Sequence, residues 1–197
     1  SACVITFFNA QSCTASLRNL VAKHEGDKLC VYVDTTGHKT IGIGYNLDQG
    51  GAKEMIESVG ANFDNIYSGK SCLTQSQVNV IFSKTIGSSI SGARSVVSSF
   101  DSLCCGVQNV MVDMTFNLGV GGFRSFGSFI SDINNKEWAS AAADMKGTLW
   151  CKQVGSRCSD DASYVQRGCS GLRAKGAPTD EKDGWLSSFM SLFHVFI

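Results

Sequence analysis

The chain is 197 residues long, and 43% of its residues are hydrophobic while 17% are charged. That balance is typical of a globular protein and excludes an intrinsically disordered one. Basic and acidic residues number 17 each, so the formal net charge is zero. A balanced charge argues against a nucleic-acid-binding face and against strong electrostatic steering towards anionic surfaces. No apolar stretch of the sequence reaches the length needed to cross a bilayer.

The first segment with a clear periodicity is a helix predicted over residues 15–25. Leu17, Leu20, Val21 and His24 follow the helical spacing i, i+3, i+4, i+7. The glycine that follows predicts the end of this helix, because glycine adopts the left-handed conformation without steric cost. Glu25 then lies in the last turn, at the negative end of the helix dipole, which disfavours the ionised form of a carboxyl group. This placement suits a general acid.

Residues 29–45 change to a period of two, which predicts a β-hairpin. The first strand ends at Asp34, residues 35–38 have the composition of a turn, and the second strand runs to Tyr45. One face of that second strand carries Thr40 and two glycines, so another molecule could approach its backbone closely. The hairpin brings Asp34 and Thr40 together. Taken singly, Asp34 would more often be a turn residue that bonds its own backbone, and Thr40 a simple strand former.

The remaining segments favour a mainly helical chain. We predict helices and connections as follows: a helix at 52–59, a loop at 60–73, a helix from Thr74 to about Val97 that joins two lobes, a buried helix at 106–118 broken by glycines, and short helices at 126–133 and 138–150. Thr74 and Gln77 have the spacing of a capping box at the start of the long helix. The apolar segment 185–197 is too short to span a membrane, and we expect it to pack on the body of the protein rather than adhere to a membrane.

Nine cysteines lie along the chain without any C-x-x-C pair. This pattern favours a disulfide framework over zinc ligation, and a framework of that kind indicates a secreted protein. An odd count leaves one cysteine for a free thiol or an intermolecular bond, and the adjacent Cys104 and Cys105 should pair with different partners. The start of the chain, S-A-C-V-I-T-F-F, lacks an initiator Met and a leader, as expected of a mature form after signal removal or of a trimmed chain.

The run from Glu25 to Gly44 reads E-G-x-x-x-x-x-Y-x-D-T-x-G-x-x-T-I-G-I-G. It resembles the signature of the phage-type lysozymes, glycoside hydrolase family 24. A second block, N-L-G-x-x-G-G-F followed by W-x-x-A-A-x-x-M and W-x-x-Q-x-x-x-R, resembles the same family without a gap from Phe116 to Arg157. The resemblance covers roughly residues 15–158. The many cysteines depart from the usual phage form and suggest a secreted, animal-type use of the fold.

The resemblance implies a role for each residue of the first block. Glu25 would be the general acid, and Asp34 with Thr40 would position and activate the attacking water. The reaction would cleave the bond from N-acetylmuramic acid to N-acetylglucosamine in peptidoglycan with inversion. Inversion needs room for that water, so the two carboxyl groups should lie about 6.5 to 9.5 Å apart. No metal and no organic cofactor is needed.

The resemblance assigns roles less clearly to the other site residues. Phe116 matches an aromatic residue of the substrate cleft, although a simple core position is about as probable for it. Asn46, Phe129 and Asp144 lie at other substrate-contact positions, but their residue types differ from the familiar phage sequence. Arg157 matches an arginine close to the catalytic glutamate and could hold that side chain in place. A cation so close would also favour the ionised carboxylate, against the effect of the helix end.

We therefore expect an α+β, mainly α, two-lobed lysozyme-like fold with a small antiparallel sheet. A single domain would span residues 1–197, with a first lobe at about 14–73, a connecting helix at about 74–97 and a helical lobe at about 98–197. The expected protein is a secreted, monomeric muramidase with an antibacterial or digestive role, acting on bacterial peptidoglycan and on no nucleic acid. Two alternatives are a non-enzymatic antimicrobial protein that binds bacterial surfaces and a chitin-directed hydrolase.

Overall fold

The computed structural model describes residues 2–34 and 36–169, with side chains from residue 13 onward. The apolar segment 185–197, whose packing the sequence predicts, lies outside these residues. The described chain is mainly helical with one small antiparallel sheet, so the predicted fold class is confirmed. None of the described helices combines the length and the apolarity that crossing a membrane requires.

The first helix, α1, spans Ala2–Glu25 and so begins well before the predicted residue 15. The apolar periodicity begins only at Leu17, so it could not predict a helix start as early as Ala2. Leu17, Leu20 and Val21 are buried, as their spacing predicts. The helix ends at Glu25, where Gly26 adopts a φ of 87° and its N–H donates to the carbonyl of Ala22 at 2.9 Å. The predicted end of this helix is confirmed.

The sheet has three strands in the order β1–β2–β3: Lys28–Val33, Lys39–Gly42 and Tyr45–Asn46. Both pairs are antiparallel, and Tyr32 lies opposite Thr40. The prediction of one second strand running to Tyr45 is wrong. Gly42 and Gly44 have φ values of 63° and 65°, which is left-handed backbone that no strand sustains. The two glycines therefore form a tight turn between two short strands.

Two short helices follow the sheet, α2 at Ala52–Ser58 and α3 at Phe63–Tyr67. Helix α3 lies in the stretch predicted as a loop. Asn62 begins it, because its side chain accepts a hydrogen bond from the backbone N–H of Asn65 at 2.9 Å. Asparagine favours loops and helix caps alike, so composition alone was ambiguous here.

The long helix α4 spans Gln75–Val96, close to its predicted bounds. Its capping box is present, since the Thr74 N–H donates to Gln77 Oε1 at 2.8 Å and the Gln77 N–H donates to Thr74 Oγ1 at 3.3 Å. Gly92, which weakens an isolated helix, has a packing role here. A Cβ at this position would lie 2.5 Å from Val120 Cγ2, so α4 can approach the neighbouring helix closely only with glycine.

A 3₁₀ turn at Phe100–Ser102 leads into five helices: α5 at Cys105–Arg124, α6 at Gly127–Asn135, α7 at Trp138–Gly147, α8 at Leu149–Val154 and α9 at Ser156–Arg167. Helix α5 is kinked at Gly119, as the glycine run predicts, but it resumes beyond the kink. The single helix predicted over 138–150 is two helices. Thr148 separates them, because its extended backbone ends α7 and its hydroxyl accepts the Cys151 N–H at 3.1 Å to begin α8.

The core lies around α5. Helices α1 and α4 pack on α5, and α9 packs on both α5 and α7. The fully buried side chains of this region include Met111, Met114, Phe123 and Ile133. Helix α5 is thus the buried core helix that its apolar run predicts.

Four disulfides join eight of the nine cysteines: Cys13–Cys105, Cys30–Cys72, Cys104–Cys169 and Cys151–Cys158. The predicted framework is confirmed, and Cys104 and Cys105 do pair with different partners. The ninth cysteine, Cys3, lies where side chains are not described.

The disulfides should differ in their contribution to stability, because they close loops of very different length. Replacing both Cys13 and Cys105 with serine opens a loop with a sequence separation of 92, and chain entropy assigns such a loop about 4.6 kcal/mol. The same change at Cys151 and Cys158 opens a separation of 7, worth about 2 kcal/mol. Urea unfolding of the two double-serine variants would measure the difference. Equal losses of unfolding free energy would contradict the expectation.

Candidate active site

The Glu25 carboxyl group is held by one strong contact. Arg157 Nη1 donates to Glu25 Oε1 at 2.7 Å, and the Glu25 side chain keeps 24% of its surface exposed. Within the described part of the chain, no other donor contacts this carboxyl group. The second oxygen, Oε2, instead faces the glycine turn of the sheet: a Cβ built on Gly44 would lie 3.2 Å from it. One oxygen therefore accepts from a cation that cannot give up its proton, and the other is open.

Gly44 leaves room for the Glu25 side chain, and an alanine at this position would remove that room. The added methyl group would press on Oε2 and on Glu25 Cγ at 3.4 Å, in a backbone conformation that alanine adopts only with strain. We expect Gly44→Ala to slow turnover roughly 10- to 100-fold through displacement of the carboxyl group.

Gly60→Ala is the matched control for this substitution, because Gly60 also has a positive φ but has open space around its Cβ position. Both variants should lose a similar amount of stability in thermal unfolding. Only the Gly44 variant should lose activity, and an equal loss of activity in both would contradict the assigned contact.

The carboxylate of Asp34 is held in a contrasting way. Oδ1 accepts three hydrogen bonds from the following turn: the Thr36 N–H at 2.9 Å, the Thr36 hydroxyl at 2.8 Å and the His38 N–H at 2.9 Å. Oδ2 accepts only from the Thr40 hydroxyl at 3.3 Å. The hydrogen bonds from His38 and then Thr36 lower the pKa of Asp34, so this group favours the ionised form.

Asp34 thus makes both of the contacts considered from the sequence, one with its own turn and one with Thr40. It bonds its own turn through Oδ1, as an isolated aspartate would, and it meets the buried Thr40 through Oδ2. The hairpin brings these two residues together as predicted. An anionic oxygen beside a hydroxyl can accept a proton from a water molecule and orient it.

Tyr32 connects the two acids electrostatically, although the sequence argument gave it no role. Burial raises the pKa of Tyr32, and the charges of Glu25 and then Asp34 raise it further. Its ring also lies under Lys28, whose Nζ is 4.1 Å from the ring centre. The sequence did contain a signal for this role, because side-chain alternation places Tyr32 and Asp34 on the same face of the predicted first strand.

Arg157 joins Glu25 to a second, deeply buried acid. Its Nε and Nη2 donate to the two oxygens of Asp113 at 2.8 and 2.9 Å, and His24 Nδ1 lies 3.1 Å from Asp113 Oδ2. Burial acts to raise the pKa of Asp113, but the hydrogen bonds from His24 and Arg157 outweigh it and hold this pKa below its usual value. The Arg157 guanidinium is therefore fixed from behind by Asp113. Sequence reasoning missed Asp113, although an acid in an apolar core helix signals a buried partner.

One group of described side chains has the residue types of a metal site: His24, Asp113 and Asp161, whose ligand atoms lie within 4.8 Å of one another. Both oxygens of Asp113 already accept hydrogen bonds from Arg157. A metal ion there would face the guanidinium charge directly, so the arrangement does not fit a cation. The buried charge is balanced by Arg157 instead.

The four substrate-contact candidates line two separate cavities. Asn46 and Phe116 line one of about 310 Å³ beside Gly44, close to Glu25. Phe129 and Asp144 line another of about 630 Å³ in the helical part of the chain. Phe129 is only 2% exposed and belongs to the core, whereas Phe116 is half-buried. Trp150 also lines the second cavity, but it is buried and its indole N–H donates to Asn117 at 2.8 Å.

The fold is mainly helical with a small sheet, and it carries two carboxyl groups in contrasting environments, as glycoside hydrolases do. The comparisons agree. The family model described as phage lysozyme matches residues 22–164, which include every candidate site residue. The chain therefore belongs to the phage lysozyme family and is a muramidase.

The relatives share a low sequence identity with this chain, but each of the matches covers most of it. The chain is 25% identical to "Probable T4-type lysozyme 1" and 26% identical to "Probable T4-type lysozyme 2", both of Dictyostelium discoideum. Each match covers 78% of this chain and 95% of the relative. It is also 24% identical to "Pre-baseplate central spike protein Gp5" of Enterobacteria phage T4, over 73% of this chain and 26% of that protein.

Proposed function

We propose that this muramidase hydrolyses the β-1,4 bond between N-acetylmuramic acid and N-acetylglucosamine in bacterial peptidoglycan, with inversion. Glu25 is the general acid that protonates the leaving oxygen. Asp34 and Thr40 hold the water that attacks the opposite face of the sugar. The observation that carries the proposal is the contrast between the two acids: Asp34 has a lowered pKa and a hydroxyl partner, while Glu25 keeps one oxygen open.

The supporting residues follow from the same geometry. Arg157 holds Glu25 Oε1 and directs Oε2 towards the sheet, where Gly44 leaves space. Asn46 and Phe116 are proposed sugar contacts because their cavity adjoins Gly44. Phe129 and Asp144 are proposed to act further along the polysaccharide, Asp144 by direct contact and the buried Phe129 by shaping the wall of its cavity.

The disulfide framework supports action outside the cell, because disulfides persist in oxidising compartments. Such a setting suits an antibacterial or a digestive muramidase. The names of the Dictyostelium relatives, probable T4-type lysozymes, support the same activity for this chain.

Product analysis tests the proposal directly. The protein is incubated with purified peptidoglycan and, in parallel, with chitin oligomers, and the released reducing ends are counted. Proton NMR during the first minutes then reports the configuration of the new anomeric centre. We expect release from peptidoglycan with the α anomer formed first. Preferential release from chitin would change the substrate, and the β anomer formed first would overturn inversion and with it the assigned role of Asp34.

A further inference from the structure

The contacts of Arg157 divide its donors between two acids. Nε and Nη2 form a two-pronged pair with Asp113, and Nη1 alone reaches Glu25. A guanidinium group is rigid and planar, so two fixed hydrogen bonds to one carboxylate determine where its third donor points. Asp113 is completely buried and belongs to the core helix α5, which gives it a firm position. Asp113 thereby sets the direction of the contact with Glu25.

Asp113 also balances the charge of Arg157. An uncompensated cation 2.7 Å from Glu25 would stabilise its carboxylate and oppose proton donation. The groups that face Asp113 are His24 from α1 and Arg157 and Asp161 from α9, and those that face Glu25 are Arg157 and Tyr32. With Asp113 ionised, the charge of Arg157 is balanced from the side away from Glu25.

Asp161 completes the arrangement behind Asp113. It is fully buried, and neither of its oxygens has a hydrogen-bond partner among the described residues. An ionised Asp161 would be an unpaired buried charge next to another carboxylate, which is prohibitively unfavourable. Burial and then the charge of Asp113 raise the pKa of Asp161 well above its usual value. The neutral acid leaves the negative charge on Asp113 alone.

We infer that Asp113 is a positioning residue for the acid step: it orients Arg157 towards Glu25 Oε1 and offsets the charge of the guanidinium group. This inference rests on the proposed role of Glu25. Asp113 touches no substrate and acts only through Arg157.

The test compares two isosteric substitutions on the same buried pair. Asp113→Asn removes the charge and puts an amide N–H against an Arg157 donor. We expect kcat to fall at least tenfold with KM changed less than twofold, and the alkaline limb of the pH–rate profile to move down by about one pH unit. Asp161→Asn preserves a neutral side chain, so kcat and the alkaline limb should stay within twofold and within about 0.2 pH unit of the wild type. Asp101→Asn, an exposed acid paired with Arg94, is the control for loss of an acidic residue.

An Asp113→Asn variant that loses only stability, with kcat and the alkaline limb unchanged, would overturn the inference. So would an Asp161→Asn variant as impaired as Asp113→Asn, because Asp161 would then carry a needed charge.

A measurement on the wild-type protein does not depend on activity or on the folding of a variant. In ¹⁵N NMR, the Arg157 Nε–H should exchange slowly with solvent and stay unchanged in Glu25→Gln. Fast exchange would show that Asp113 does not hold the guanidinium, and would refute the inference even if the muramidase assay succeeds. Slow exchange in a protein that releases no reducing ends would instead refute the proposed function and the acid step, while the orientation of Arg157 by Asp113 would stand.

Discussion

Replacing Glu25 with glutamine is expected to lower the release of reducing ends from peptidoglycan by about 10²- to 10⁴-fold, the range for loss of a general acid. Glutamine cannot donate a proton at the required acidity. Its carbonyl oxygen can still accept from Arg157 Nη1, so the contact at 2.7 Å and the fold should persist. The loss should therefore fall on kcat, with KM and the midpoint of thermal unfolding nearly unchanged.

Glu57→Gln is the matched control, because Glu57 is an exposed helix residue whose carboxylate pairs with Lys53. It should hydrolyse peptidoglycan at the wild-type rate. If Glu25→Gln still killed bacteria while releasing no reducing sugar, the non-enzymatic surface-binding alternative would gain support. If it still released reducing sugar, Glu25 would not be the acid.

Local patterns in the sequence predicted much of the fold. The end of α1 at Glu25 followed from Gly26, and the capping box placed the start of α4 at Gln75. The hairpin that joins Asp34 to Thr40 followed from the change of period. Each of these features depends on residues within a few positions of one another. Their physical causes, capping and side-chain alternation, can therefore be read along the chain.

Two physical causes explain the features that were not predicted from the sequence. A change of backbone conformation at Gly42 and Gly44 divided the expected second strand, and alternation of side chains gives no sign of a positive φ. The resemblance did predict that Arg157 holds Glu25, 132 residues away, and this contact is present, but Asp113, which reaches Glu25 only through Arg157, was not predicted. Pairings of that kind depend on how α1, α5 and α9 pack, which no local pattern specifies.

The packing of these helices places Arg157 between two acids. Its guanidinium group donates to the buried Asp113 on one side and to Glu25 Oε1 on the other, so Oε1 is held and Oε2 is left open.

Removing Arg157 should therefore cost stability as well as activity. Arg157→Met keeps much of the apolar bulk but leaves the fully buried Asp113 with His24 as its remaining partner. Breaking a buried ion pair on one side costs about 3 to 5 kcal/mol of unfolding free energy. For a chain of this size we expect the melting temperature to fall by roughly 10 °C. A loss below about 1 kcal/mol in urea unfolding would contradict this account.

The double variant Arg157→Met with Asp113→Leu separates the two roles. It removes both buried charges, and well-packed apolar replacements of a buried pair are often neutral or stabilising, so most of the lost stability should return. Activity should not return, because Glu25 Oε1 still lacks its donor.

The difference between wild type and the single variant should also depend on pH. The hydrogen bonds from His24 and Arg157 hold the pKa of Asp113 below the ordinary value of 3.8, against the effect of burial. A lowered pKa contributes stability that is present above the unfolded value and is lost as pH falls through the folded value. The unfolded state is the same for both proteins, so the wild-type advantage over Arg157→Met should narrow as the pH falls towards the lowered pKa of Asp113 in the folded wild type, as measured by urea unfolding at several pH values. An advantage that grows as pH falls would mean that Asp113 is not the charge that Arg157 holds.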